Sequence, residues 1–190
     1  MDNNPFTVHK IDHLSASSIN LWVTDPCRWC LKYLMKIDSD YGASAQRGHI
    51  IEWALERWLA KGDIVTVKEL EDVFIKHLID KQIDVEAGKA VEEIKNLMPY
   101  YDMVHANCNY PNLVNYQEKV EVQYGDLPIP IIGYIDFVFD DFILDLKTTS
   151  KMPSICPETV KRQMAVYSMV YTDRKMIVDY GTPKKYQTFQ

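Results

Sequence analysis

The stretch Gly133-Tyr-Ile-Asp-Phe-Val-Phe-Asp-Asp-Phe-Ile-Leu-Asp-Leu-Lys147 decides the fold. Apolar residues alternate on both sides of Asp140-Asp141, which predicts two antiparallel strands joined by a two-residue turn. Such a turn sets the register: Phe139 opposite Phe142, Val138 opposite Ile143, Phe137 opposite Leu144 and Asp136 opposite Asp145. The two aspartates then share a face with Cβ atoms about 5 Å apart, and Lys147, two residues beyond Asp145, points the same way. Like charges directly opposite destabilise a sheet. A divalent cation such as Mg²⁺ compensates by taking carboxylate, carbonyl and water oxygens. The alternative is a solvent-facing pair partly neutralised by Lys147.

Upstream of this hairpin, Tyr116 to Tyr124 reads as a strand and Gly125-Asp126 as a turn, with the second strand entered from Ile129 and the third leaving at Thr149. Downstream, Pro157 opens a helix to about Tyr171, and Lys175 to Tyr180 reads as a short last strand. The N-terminal half has helical periodicity. A helix is expected from near Ser17, a second from about Pro26 to Lys36, a third from Ala45 to Lys61, and a fourth after the Thr66/Glu69 capping box. A fifth runs from about Val85 toward Tyr101, where Pro99 should kink or break it. The order is α+β and reads as one domain over 1–190, with a helical part at about 14–106 and a β-core at about 114–180.

With 47% hydrophobic and 25% charged residues, 7 Gly and 9 Pro, disordered, collagen-like and low-complexity classes are excluded. No apolar run reaches the length of a membrane span and residues 1–10 lack a signal-peptide core, so a cytoplasmic protein is expected, with no membrane partner. Four cysteines, Cys27, Cys30, Cys108 and Cys156, are too few for a disulfide scaffold and read as buried free thiols. The net charge of −6 hides an asymmetry, +5 from Lys147 to Gln190 and −11 before it. That basic segment holds Lys161, Arg162, Lys184 and Lys185; Arg28, Lys32 and Lys36 make a second stripe if their segment is helical. Both could meet nucleic-acid phosphates, and the stripe could equally be a solvated helix face. His9, His13, His77 and His105 show no ligand spacing. Trp22, Trp29, Trp53 and Trp58 suit packing of the helical half, with room for one exposed ring to stack on an unpaired base.

Gly48-His-Ile-Ile-Glu52, Gly133-Tyr-Ile-Asp136, Asp145-Leu-Lys147 and Gln163-Met-Ala-Val-Tyr167 stand in the order and approximate spacing of the PD-(D/E)XK nucleases. The chain most resembles their RecB-like and phage exonuclease branch, in which Asp-x-Lys is followed by Thr, as in Thr148-Thr149 here, and Gln-x-x-x-Tyr lies on the next helix. Leu14-Ser-Ala-Ser-Ser-Ile19, with Cys27 nearby, is similar to the start of that branch. The likeness runs from about residue 14 to 180.

That resemblance implies a restriction-endonuclease-like core of β-meander, helix and strand behind a helical N-terminal half. It implies Glu52, Asp136, Asp145 and the Leu146 carbonyl as ligands of Mg²⁺ or Mn²⁺. Lys147 would activate water and stabilise charge on the phosphorane, and Gln163 and Tyr167, one helical turn apart, would brace the site or touch DNA. Where many RecB-like members end Gly-x-x-x-His, this chain has Glu52, which leaves His49 without a carried-over role. Those relatives that hold an iron-sulfur cluster place three cysteines after the Gln-x-x-x-Tyr helix; none follows Tyr167 here, so no cluster is expected. The expected activity is a metal-dependent DNA exonuclease of recombination or end processing in a bacterial or phage-infected cell, with a recombination or annealing protein as possible partner. A catalytically silent DNA-binding or assembly module, and a structure-specific endonuclease within a larger complex, are the alternatives.

Overall fold

A computed structural model of the chain describes residues 4–37 and 42–190. Its sheet has five strands in the order β1 (Leu113–Val122), β2 (Ile131–Phe139), β3 (Phe142–Thr148), β4 (Lys175–Gly181) and β5 (Tyr186–Phe189). The first three form an antiparallel meander; β4 lies parallel to β3, and β5 returns antiparallel to β4. The β3–β4 crossover carries helix α7 (Glu158–Ser168), with Pro157 at its N-cap. The sequence reading missed β5, a four-residue strand, and so took β4 as the last one. Lys184 and Lys185 therefore occupy a tight turn, where both backbone N–H groups donate to Thr182 Oγ1.

The helical half comprises α1 (Pro5–Val8), α2 (Ala16–Thr24), α3 (Pro26–Trp29), α4 (Ala43–Lys61), α5 (Val67–Asp80) and α6 (Ala87–Asn107). Reciprocal capping boxes start two of them, Ser15 with Ser18 on α2 and Thr66 with Glu69 on α5. Pro99 does not end α6, which continues for eight further residues. Leu97, Tyr100, Tyr101 and Val104 are buried around it, and that packing offsets the missing backbone hydrogen bond. The expected helix from Pro26 to Lys36 is also corrected. After α3 the backbone widens into a π-turn over Cys30–Leu34, with Met35 N donating to Cys30 O, and Lys36 follows with φ of 58°. The wider turn shifts the four-residue spacing, so Arg28, Lys32 and Lys36 do not form one helical stripe.

Two apolar layers sandwich the sheet. One lies under α4, α5 and α6 and includes Phe137, Phe139, Leu144 and Leu146; the other lies under α7 and includes Ile131, Ile135, Val138, Ile143 and Val178. Along β2 the alternation changes phase. Ile131 and Ile135 pack toward α7, but Phe137 and Phe139, in step with them, pack toward α4 and α6. On β1, Val120 packs toward α7 and Tyr116, also in step with it, packs on the opposite layer. Between these residues lie Asp136 and Gln117. Gln117 has a left-handed φ of 50°, and the ladder passes from Tyr116↔Phe137 to Glu118↔Ile135 without pairing Gln117 to Asp136. The left-handed backbone of Gln117 thus coincides with the place where both strands exchange faces, beside Asp136.

Candidate active site

A cleft of about 560 Å³ opens over this phase change. Its walls are His13, Ser15, Ser17 and Asn20 around the start of α2, His49 and Glu52 on α4, Gln117, Gly133 and Tyr134 on the ribbon, and Gln163 and Tyr167 on α7. Asp136 and Lys147 form its floor, with Asp145 fully buried beneath. The start of α2 is held there because Leu14 bridges to β2, donating to Pro130 O and accepting from Ile132 N. Farther along α2, Asn20 donates to Thr159 O and accepts from Arg162 Nη1, which ties α2 to α7.

Of the predicted hairpin pairs, Phe137↔Leu144 and Val138↔Ile143 are present. The ladder stops there, so Asp136 and Asp145 are not the ladder pair expected of them. Asp136 instead turns its carboxylate into the gap and accepts from Leu146 N at 3.0 Å. Neither aspartate is solvent-facing; Asp136 is 7% exposed and Asp145 0%. Asp145 and Lys147 do share a face, with Nζ 2.7 Å from Oδ2. Gln163 donates to Asp145 Oδ1 at 2.9 Å and to the Tyr167 hydroxyl at 2.8 Å, while Tyr167 donates to Tyr134 O. This chain of contacts explains Gly133, since a Cβ there would lie 2.6 Å from Tyr167 Cε1.

Burial raises the Asp136 carboxyl well above the ordinary range, and the charges of Asp145 and Glu52 add to the effect. Burial also raises Asp145, against the pull of Lys147. For Lys147 burial acts downward, but Asp145, Asp136 and Glu52 together outweigh it and hold the ammonium charged. Glu52 reaches the cluster from α4, and one donor joins it to Asp136: Gln117 Nε2 lies 3.3 Å from Glu52 Oε2 and 3.4 Å from Asp136 Oδ1. His49 stands 3.7 Å from Glu52 and its imidazole is raised by that contact.

The donor set is all oxygen, which suits a hard divalent ion, and buried Asp145 Oδ2 has an ion-pair contact but no well-directed hydrogen bond. Among the described residues, no three His, Cys, Asp or Glu side chains already converge as a cage. Instead, Gln117 Nε2 lies between Glu52 and Asp136, and Lys147 Nζ pairs with Asp145.

The other sequence expectations are more dispersed. Lys161 is paired with Glu158 at 2.6 Å and Arg162 with Asn20, so neither is held ready for phosphate alone. Lys32 lies 6.0 Å from the Tyr33 ring centroid. Cys108 is buried, but Cys27 is exposed and Cys30 and Cys156 are half-buried, so burial as a group fails. Trp22 is the exposed indole, beside a small apolar pocket of Phe6, Leu14, Ile19 and Trp29. Gln117 escaped the sequence reading because a glutamine in an alternating strand carries no signal of a left-handed backbone. Ser15 and Ser17 had only the Leu14–Ile19 stretch to mark them, and Asn20, just past it, had no signal.

The model of the PD-(D/E)XK nuclease superfamily matches residues 13–182. No curated protein matches the chain. Among solved structures, a candidate exonuclease from Eubacterium rectale is similar at a TM-score of 0.55 and 10% identity, covering 100% of this chain and 77% of that one. A second, SSO0001, has a TM-score of 0.35 at 14% identity, covering 80% of this chain and 66% of that one. Among the described residues, no helix is long and apolar enough to cross a membrane.

Proposed function

The chain belongs to the PD-(D/E)XK nuclease superfamily, and from that premise we propose that it is a metal-dependent deoxyribonuclease acting from DNA ends. The observation that supports this most is the pairing of buried Asp145 with half-buried Lys147, braced by Gln163 at the floor of a cleft that Asp136 and Glu52 also line. Glu52, Asp136, Asp145 and the Leu146 carbonyl would hold Mg²⁺ or Mn²⁺. Such an ion lowers the pKa of bound water and shields the phosphate. Lys147, kept charged by the acids around it, supplies positive charge without competing for the ion. Gln163 fixes the Asp145 rotamer, and Tyr167 fixes Gln163. Arg28, Lys32, Lys161, Arg162, Lys184 and Lys185 are proposed to contact the DNA backbone, with affinity that falls as salt rises. A role in recombination beside an annealing protein, in the cytoplasm of a bacterial or phage-infected cell, fits an end-directed enzyme.

The test is digestion of linear and circular DNA, single- and double-stranded and end-labelled, in Mg²⁺, Mn²⁺ or EDTA. Loss of linear substrate only, with metal only, is expected. Cutting of circles would make the protein an endonuclease. Binding without cleavage in any metal would make it a silent DNA-binding module and overturn the proposal.

A further inference from the structure

Gln117 belongs to none of the motifs read from the sequence, yet its side chain touches two of the proposed ligands. Its amide is turned nitrogen-inward, and the one nitrogen spans Glu52 on α4 and Asp136 on β2. The opposite amide orientation would crowd three acceptors together. The backbone beneath it is left-handed, a conformation that costs energy in a residue other than glycine and persists where the surroundings impose it. This residue is also where the two strands exchange faces.

Resting on the nuclease reading above, we infer that Gln117 holds the place of the divalent cation, bridging Glu52 and Asp136 while the metal is absent and releasing them when it binds. The balance between gathering the ligands and competing for them decides the sign. Asp136 is already fixed by Leu146 N, and Glu52 by its place on α4, its side chain only 12% exposed. The amide is not needed to place either. At 3.3 and 3.4 Å its two hydrogen bonds are long, and Gln117 itself is exposed at the cleft wall, so it can swing out. Competition therefore outweighs gathering.

Two variants test this in the full chain with Mn²⁺ as the probe, read by calorimetry or by the free-ion EPR signal. Gln117→Gly accepts the left-handed backbone without strain and deletes the amide. It should bind Mn²⁺ about 3- to 10-fold more tightly than wild type, the size expected on removing weak hydrogen bonds to charged groups. Gln117→Glu replaces the donor by a third acid. Its metal-free melting temperature should fall below that of wild type, and its rise with Mn²⁺ should be larger. Equal or weaker Mn²⁺ binding by Gln117→Gly, in a wild type that does bind Mn²⁺, overturns the inference alone and leaves the nuclease reading standing. A wild type that neither binds Mn²⁺ nor cleaves DNA overturns both.

Discussion

Asp145 on β3 pairs with Val178 on β4, and Leu146 with Asp179, so Asp145 and Asp179 sit one step apart in the same parallel ladder and face opposite sides of the sheet. Both are 0% exposed. Asp179 is surrounded by neutral donors: the Tyr110 hydroxyl at 3.1 Å, the Thr188 hydroxyl at 2.6 Å, and the Tyr186 hydroxyl. Those bonds tie β5 and the segment before β1 to β4, and they complete the acid's hydrogen bonding without a countercharge. Asp145 has one ammonium and one amide, with Asp136 and Glu52 close enough to act on the cluster electrostatically. Asp179 is a structural brace, finished by its hydrogen bonds. Asp145 belongs to a cluster of acids that, on the proposed reading, a cation would complete.

The largest separation between the two should be in catalysis. Asp145→Ala and Lys147→Ala are expected to lower cleavage of linear DNA by more than about 100-fold while circular dichroism and melting show a retained fold. Asp179→Ala, measured on its folded fraction, should cleave within a few-fold of wild type. Wild-type rates in both Asp145→Ala and Lys147→Ala would sink the mechanism.

Metal response comes next. Mg²⁺ at 100 times its Kd should stabilise wild type by about 2.7 kcal/mol, a rise of several degrees in Tm. Asp145→Asn should lose most of that rise and Asp179→Asn should keep it, as a Mg²⁺ titration against EDTA will show. An equal shift in wild type and Asp145→Asn would remove Asp145 from the metal site.

Stability without metal should order the two acids the other way. Asp179→Ala strands hydroxyl groups in the core and is expected to cost about 1 to 3 kcal/mol in denaturant unfolding, against near neutrality or a gain for Asp145→Asn in EDTA. Comparable losses in both would mean that Asp145 is as much a brace as Asp179.

The smallest effect is in pH. Burial, then Asp145 and Glu52, raise the Asp136 carboxyl above its ordinary 3.8. A carboxyl raised on folding contributes stability that is fully present below its unfolded pKa and is lost as pH rises through the folded value. In EDTA the wild-type Tm should therefore fall as pH rises from 4 toward neutrality, and Asp136→Asn should flatten that slope. Saturating Mg²⁺ should also flatten it in wild type. A slope unchanged in Asp136→Asn would assign the pH dependence to other groups, among them Asp179, which burial raises in the same direction.

Much of this molecule is written locally in its sequence. The two-residue turn at Asp140-Asp141 sets Phe137 against Leu144, a four-residue offset sets Gln163 beside Tyr167, and Thr66 with Glu69 starts α5, because each depends on neighbours within a few residues. What could not be read there depends on distant packing. The phase change at Gln117 and Asp136 is imposed by layers on both faces of the sheet. Pro99 stays helical because α6 is packed along its length, and β5 is too short to announce itself. The acids could be singled out by type and order as candidates, whereas their burial and their partners could not be read there.

The crossover from β3 through α7 to β4 also governs when, during synthesis, the acidic cluster can form. Lys147 lies beside Tyr180 in the parallel ladder, and Asp145 beside Val178. A chain emerging from the ribosome exposes both motif residues long before β4 exists to flank them, and non-local parallel pairing is slow to form. Glu52 arrives still earlier, on a helix whose buried face has no sheet to cover. Vectorial synthesis thus keeps the acidic cluster from assembling against β4 until residues near 181 have been made.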